Sequence, residues 1–273
     1  GPDVAGLLIG AEGSLGIVTE VSLKVNPIPD AADRVDVCLR FDHMADGVAA
    51  CRALAQSDVR PTLVRLYDAD DATIFLRAHP DEAPGPVLLL SFDGSDASRR
   101  ASDAVALTEG RRGNDGLVEH WWQHRNAAVD EYVRLMAGDG LLGPSALVDT
   151  IEVAGTWSVL RVLYHDMKAS LAGEADLVGC HLSHVYPDGA CLYFTLASAC
   201  ADDETAAKVH ERWWETAMAS CLNAGGSITH HHGIGRVKAP WLPDELGGFF
   251  DVLVAVKRAL DPNNIMNPGV LGL

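Results

Sequence analysis

Residues 177–196 constrain the fold more than any other stretch. LVGCHLSHVY (177–186) and ACLYFTL (190–196) both read as strands, and Pro187-Asp188-Gly189 between them has the turn chemistry of a hairpin. A hairpin obliges its two strands to pair antiparallel. On either side, short strand-like runs alternate with amphipathic segments. Strands are predicted over 34–41, 62–66, 86–92 and 146–153, with a short one over 116–119. Helices are predicted over 44–56, 70–78, 96–109, 121–136, 156–171, 202–221 and 249–260, where apolar residues recur at helical spacing. Asp203 and Glu204 suit the positive N-terminal end of the long helix. Residues 17–25 alternate like a further strand before Pro27 and Pro29 break the pattern. The pattern predicts an α+β fold, an antiparallel sheet with flanking helices.

At 273 residues the chain can bury one large domain or two modest ones. Its 21 basic against 38 acidic residues leave a formal charge of −17, which repels phosphate backbones and argues against a nucleic-acid partner. The same charge disfavours an anionic membrane surface without excluding a neutral lipid substrate. No run of about 18 apolar residues predicts a transmembrane helix. Cys38, Cys51, Cys180, Cys191, Cys200 and Cys221 form no C-x-x-C pair and no zinc-finger spacing, so they read as reduced, mostly buried thiols of a cytoplasmic protein. The chain opens on Gly1-Pro2-Asp3 and enters patterned sequence almost at once, as the C-terminal part of a longer protein would.

Two glycine-rich segments carry the candidate chemistry. GGSITHHHGIG (225–235) sets three adjacent imidazoles between glycine turns, and imidazole is the side chain best matched to proton transfer near neutral pH. In an extended backbone His230 and His232 would project to one side and His231 to the other. GAEGSLGIVTE (10–20) is neither a Walker A loop nor a Rossmann fingerprint. Gly10, Gly13 and Gly16 nonetheless offer bare amides to a phosphate or a ring carbonyl, or else form a tight turn before a strand. One chain with both segments suggests a cofactor site assembled from its two ends. His181 and His184 stand near enough in sequence to join a metal set, but no carboxylate or cysteine accompanies them at a recognisable spacing, so no metal is expected. Tyr193 lies in a run, 191–196, that should be largely buried. It is either a satisfied core phenol or an acid/base helped by nearby imidazoles. Arg65 and Arg134 suit carboxylates or phosphates, and are equally open to structural ion pairs. Trp121, Trp122, Trp213 and Trp214 read as packing residues.

GAEGSLGIVTEVSLKVNPIP (10–29) resembles the segment that closes the FAD-binding domain in FAD-linked oxidases of the vanillyl-alcohol-oxidase type. VKRALDPNNIMNPGVL (256–271) resembles that family's C-terminus. PTLVRLYD (61–68), GACLYFTL (189–196) and GGSITHHHGIG favour its alkyldihydroxyacetonephosphate synthase branch, whereas lactate and glycolate relatives carry Gly-Glu-His-Gly and would match only His232. The resemblance implies a ferredoxin-like substrate-binding cap over residues 31–226. Residues 1–30 would be the remnant of the FAD-binding domain, and 227–273 would return to it. It implies FAD, a small-molecule or lipid-like substrate, a separate N-terminal FAD-binding half, and it admits a homodimer and a peripheral membrane contact. Tyr193, His230, His231 and His232 match its catalytic residues. Arg134 and Arg65 match substrate-binding arginines. Gly10, Glu12, Gly13, Ser14, Gly16, Ile17 and Val18 match the flavin-contacting turn and strand. The implied reaction exchanges the acyl chain of acyl-dihydroxyacetone phosphate for a fatty alcohol without net redox change. The runner-up is an FAD-dependent D-2-hydroxyacid dehydrogenase or oxidase, and a non-catalytic ligand-binding domain is a third reading. Three departures stand out: His181 replaces an arginine usual in eukaryotic synthases, Asn267-Pro268-Gly269 looks more like the oxidases, and 148–153 carries little of the synthases' pattern.

Overall fold

The computed structural model describes residues 3–75, 84–125 and 146–273. Among these residues, seven antiparallel strands form one open sheet: β1 (Val35–Arg40), β2 (Leu63–Tyr67), β3 (Val87–Phe92), β4 (Arg111–Arg112), β5 (Ala146–Thr156), β6 (Leu177–Ser183) and β7 (Gly189–Ala199). Their order is β4-β1-β3-β2-β6-β7-β5. The hairpin β6–β7 pairs as its turn chemistry predicts, from Leu177 opposite Ala197 to Ser183 opposite Cys191. Among the described residues the α-helices are α1 (Met44–Ala55), α2 (Ala69–Phe75), α3 (Ala97–Leu107), α4 (Gly116–His124), α5 (Leu160–Leu171), α6 (Asp203–Asn223), α7 (Leu242–Leu246) and α8 (Gly248–Leu260). The expected α+β class, an antiparallel sheet with flanking helices, is the one observed.

One face of the sheet is apolar from β1 across to β5. Val37, Leu39, Leu88, Leu90, Phe92, Leu66, Leu182, Leu192, Phe194, Leu196, Ile151 and Val153 alternate onto it, and α1, α3, α5 and α6 cover it with Cys51, Leu54, Ala101, Leu163, Met167, Trp213 and Met218. The opposite face is divided. Across β1 and β3, Cys38, Val87 and Leu89 pack under Leu117 and Val118 of α4, with Trp121 and Trp122 at the margin. Across β2, β6, β7 and β5 it carries polar side chains instead. All six cysteines are free thiols and buried, as composition suggested. Among the described residues, no helix is long and apolar enough to cross a membrane.

Two predicted elements differ. Residues 116–119 are the first turn of α4, not a strand. The Asn114 side chain accepts from the Gly116 N–H at 3.0 Å, and Leu117, Val118, Trp121 and Trp122 repeat at i, i+4, a period that a four-residue window cannot reveal. Residues 17–25 take no regular secondary structure and join no sheet among the described residues. Ile17, Val18, Val21, Leu23 and Val25 all stand exposed, since a strand needs a neighbour's backbone to become a ladder. The ends of the helices predicted over 70–78 and 121–136 lie outside the described residues.

Candidate active site

The polar half-face is ordered by strand register. Tyr67 lies opposite His181, His181 opposite Tyr193, and Tyr193 opposite Glu152. Directly paired residues share a face, so these four form one row across β2, β6, β7 and β5. Arg65 and Cys191 flank the row two residues along their strands, on the same face.

Glu152 organises the histidine segment. Its carboxylate is fully buried, yet it accepts from the backbone N–H of His230 at 3.0 Å and of His231 at 3.1 Å. It also accepts from Thr229 Oγ1 at 3.3 Å and Cys191 Sγ at 3.4 Å. Lys238 Nζ lies 3.6 Å from it and donates to the Glu152 carbonyl at 2.9 Å. Burial alone would raise the Glu152 pKa. The donated N–H groups, the Lys238 charge and the Cys191 thiol overcome it and hold the carboxyl at about 2. Wrapped on this anion, residues 230–232 bend rather than extend. The expected alternation of the three rings therefore fails: His230 Nδ1 lies 3.1 Å from His231 Nδ1, and His231 meets His232 edge-on at 4.6 Å. His184 joins them, 4.3 Å from the His231 ring. The fold also supplies what sequence spacing lacked for a metal set. Glu152, Cys191, His230 and His231 each place one ligand atom within 4.8 Å of the others, and Glu152 is already hydrogen-bonded to the Cys191 thiol and to the two histidines' backbone N–H groups.

The two glycine-rich segments meet, as their chemistry suggested. The Glu12 carboxylate accepts from Ile234 N at 2.6 Å and from Gly235 N at 2.8 Å. A Cβ on Gly233 would come 2.7 Å from Glu12 Oε1, so only glycine permits this clamp. Behind it, Lys257 donates to the carbonyls of Ser14 at 2.8 Å and Met266 at 2.7 Å, and pairs with Asp261 at 2.5 Å. The Lys257 hydrogen bond, with the N–H groups of Met266 and Ile265, holds the Asp261 carboxyl at about 2. Ser14 is buried and its hydroxyl closes the turn onto the Ala11 carbonyl at 2.7 Å.

Tyr193 is half-buried rather than buried, because it points to the polar face while Phe194 points to the core. Its ring stacks on His181 at 4.7 Å and 17°, and meets His232 edge-on at 4.8 Å. Burial raises its pKa, against the smaller opposing effects of Thr150 and Arg65. The resting group is therefore a phenol. Burial lowers the pKa of His232 and of His184, so both rest as neutral imidazoles near pH 7. Arg65 lies above the same row, its guanidinium 5.2 Å from the Tyr67 ring and 5.7 Å from the Trp121 ring. Arg134 lies outside the described residues.

Of the expected site residues, Tyr193, the three histidines and Arg65 gather on one face, and Gly10 to Gly16 dock beside them. Ile17 and Val18 continue outward, exposed. Sequence reading missed Glu152, Lys238 and Asp71. A carboxylate inside the apolar run Ile151-Glu152-Val153 was the available signal for the first.

The domain is mixed α/β, and its sheet keeps one face apolar and gathers a phenol, imidazoles and a guanidinium, the groups that acid–base chemistry uses, on the other. The chain belongs to the family of FAD linked oxidases, C-terminal domain, whose model matches residues 30–271. It is 28% identical over 286 residues to the uncharacterized FAD-linked oxidoreductase YgcU of Escherichia coli O157:H7, covering 99% of this chain and 58% of that protein. It is 28% identical over 305 residues to alkyldihydroxyacetonephosphate synthase of Trypanosoma brucei brucei, covering 99% and 48%. With the mitochondrial cytochrome D-lactate dehydrogenase of Arabidopsis thaliana it shares 27% identity over 285 residues, 99% and 47% covered. The chain thus spans about half the length of these relatives. A solved alkyldihydroxyacetonephosphate synthase superposes with a TM-score of 0.66 at 21% identity, over 98% of this chain and 49% of that one. Substrate-bound p-cresol methylhydroxylase gives 0.58 at 16%, over 100% and 58%. Both show the shared fold.

The family makes FAD the cofactor, and the residues fit it. The polar face presents a phenol, neutral imidazoles and guanidinium donors, a set suited to ring carbonyls and nitrogens. Next to it, Gly10 takes a φ of 78° with nothing within 4 Å of where a Cβ would stand, so its backbone is open to close approach.

Proposed function

We propose that this chain forms the substrate-binding and proton-transfer face of an FAD-dependent enzyme of the alkyldihydroxyacetonephosphate synthase type. The reaction exchanges the acyl chain of acyl-dihydroxyacetone phosphate for a fatty alcohol. The bond from the substrate carbon to the carboxylate oxygen breaks, and a bond to the alcohol oxygen forms. A proton is removed from that carbon and later returned, while the alcohol's proton leaves with the carboxylic acid. No net oxidation occurs. FAD, when bound, would supply an electron-accepting ring.

The observation that carries this reading is Tyr193 set edge-on to His232, within a row that Arg65 flanks. His232 is neutral and accepts a proton, and Tyr193, entering as a phenol, donates one. His230 and His231 shape the pocket from the Glu152 cradle. Arg65 and Arg134 hold the phosphate. Gly10, Gly13, Ser14, Gly16, Ile17 and Val18 line the flavin, with Glu12 contributing backbone only because its carboxylate is engaged by Ile234 and Gly235. Residues 1–30 and 227–273 belong with an N-terminal FAD-binding half, and 31–226 form the cap. The substrate is lipid-like and the compartment cytoplasmic.

The relationship to D-lactate dehydrogenases supports a second reading, oxidation of a D-2-hydroxy acid with His232 as base. The two readings separate in one cuvette. In the flavin-loaded full-length protein, D-lactate bleaches the flavin under the second reading and leaves it oxidised under the first. Tyr193→Phe in that protein is expected to abolish acyl-for-alkyl exchange with flavin retained. Undiminished exchange would remove Tyr193 from the mechanism.

A further inference from the structure

His181 is buried, and every polar neighbour dictates its chemical state. Its Nδ1 lies 2.8 Å from Asp71 Oδ2, and its Nε2 lies 2.8 Å from Arg65 Nη2. A carboxylate only accepts and a guanidinium only donates, so Nδ1 carries the proton and Nε2 presents its lone pair. The imidazole is therefore neutral, in the Nδ1–H tautomer. The other groups facing it are Tyr67 on β2, Tyr193 on β7 and, just past the end of its own strand, His184. Burial and then the Arg65 charge push its pKa down to about 4, against Asp71, which agrees with the tautomer read from geometry.

The arrangement is built into the fold. α2 lies close over β6 because residue 179 is glycine: a Cβ there would stand 2.8 Å from Asp71 Oδ1 and 2.9 Å from Asp71 Cβ. The Asp71 N–H donates to Asp68 Oδ1 at 2.8 Å. Asp68 in turn is held by Lys168 and by the Tyr164 hydroxyl at 3.0 Å. Arg65 is fixed at two points, Nε on the Tyr67 hydroxyl at 2.8 Å and Nη2 on His181. Among the described residues no carboxylate pairs with it, although acidic residues outnumber basic ones 38 to 21 in this chain. A neutral ring stands between Arg65 and Asp71, where direct contact would have neutralised the charge.

We infer that His181, held by Asp71 as its neutral Nδ1–H tautomer, is a positioning residue that aims Arg65 at an anionic group of the substrate and seats the Tyr193 ring by stacking. The anion is a phosphate monoester or a carboxylate. This rests on the reading of Arg65 as a substrate contact, and its tests are read without turnover so that the two fail separately.

Two measurements on the flavin-loaded full-length protein decide it. In ¹⁵N-histidine NMR, with the His181 signal assigned by its loss in His181→Phe, Nδ1 is expected to be protonated and Nε2 bare from pH 8 down to about pH 5. An Nε2–H or imidazolium signal at neutral pH overturns the inference. Calorimetry with inorganic phosphate and with oxalate, a carboxylate with no α-hydrogen for the flavin to oxidise, then tests the aim. Whichever anion the site prefers, His181→Phe keeps the stack but removes the acceptor, and is expected to weaken its binding at least about tenfold, towards the level of Arg65→Gln. His181→Gln, which restores an acceptor near the Nε2 position, is expected to recover most of it. Binding unchanged in His181→Phe, or lost equally in His181→Gln, overturns the inference. Equal binding in wild type and Arg65→Gln instead removes the underlying assignment of Arg65, while the tautomer result stands.

Discussion

The two faces of the sheet are made by the same strands and obey opposite rules. On the covered face, Leu192, Phe194 and Leu196 of β7 are sealed under helices and contribute through burial alone. On the other face, Tyr193 and Thr195 of the same strand are half-buried, and Tyr193 is held by stacking on His181 and by its contact with His232. Adjacent residues of one strand therefore divide into stability and chemistry. The open face is also where the fold spends buried charge. Glu152, Lys238 and Asp71 are all nearly inaccessible, a costly set unless each is paired.

The contrast is tested most severely by paired substitutions. Phe194→Ala should destabilise the domain by about 3–5 kcal/mol in chemical denaturation, the cost of an aromatic-sized cavity. A loss below about 1 kcal/mol would mean that the covered face is not the principal core. Glu152→Gln comes next, at about 3 kcal/mol, because Lys238 is left buried beside a neutral partner. It should also raise proteolytic cleavage around 229–235, where the backbone N–H groups lose their anion. Unchanged cleavage there would show that the histidine segment holds its shape without Glu152.

The acid side of the same carboxylate gives a related expectation. Its pKa is depressed on folding, from an ordinary value of 4.5 to about 2. Its contribution is thus complete above about pH 4.5 and is lost as pH falls towards 2, with a total on the order of 3 kcal/mol. The wild type should lose stability more steeply than Glu152→Gln across that window, and parallel curves would contradict the cradle. The smallest effect belongs to Tyr193→Phe, within about 1 kcal/mol of wild type in stability, because the ring and its stack remain. A large loss would make the Tyr193 hydroxyl a structural group and blur the division between the faces.

The hairpin was legible because Pro187-Asp188-Gly189 and the runs around it are local signals, and so was the apolar face, because alternation along a strand is written in consecutive residues. The candidate site was legible in its residue types: Tyr193, the histidines, Arg65 and the two glycine-rich segments. Its arrangement was not. Residues 230–232 bend because Glu152, nearly eighty positions earlier, offers a carboxylate to their backbone, and no local rule for an extended strand contains that partner. The α4 start was misread because four residues are too few to tell a period of 2 from one of 3.6.

What the sequence by itself determined was the class of fold, the turn that commits it to antiparallel pairing, and an inventory of proton-transfer groups. Tertiary structure alone decided which of those groups meet, and in what charge state. Strand register set Tyr67, His181, Tyr193 and Glu152 in one row. Burial then raised the pKa of Tyr193 and lowered those of His181, His184 and His232. The reason is physical: periodicity and turn chemistry act between neighbours along the chain, whereas desolvation and hydrogen-bond partnership depend on what lies across it.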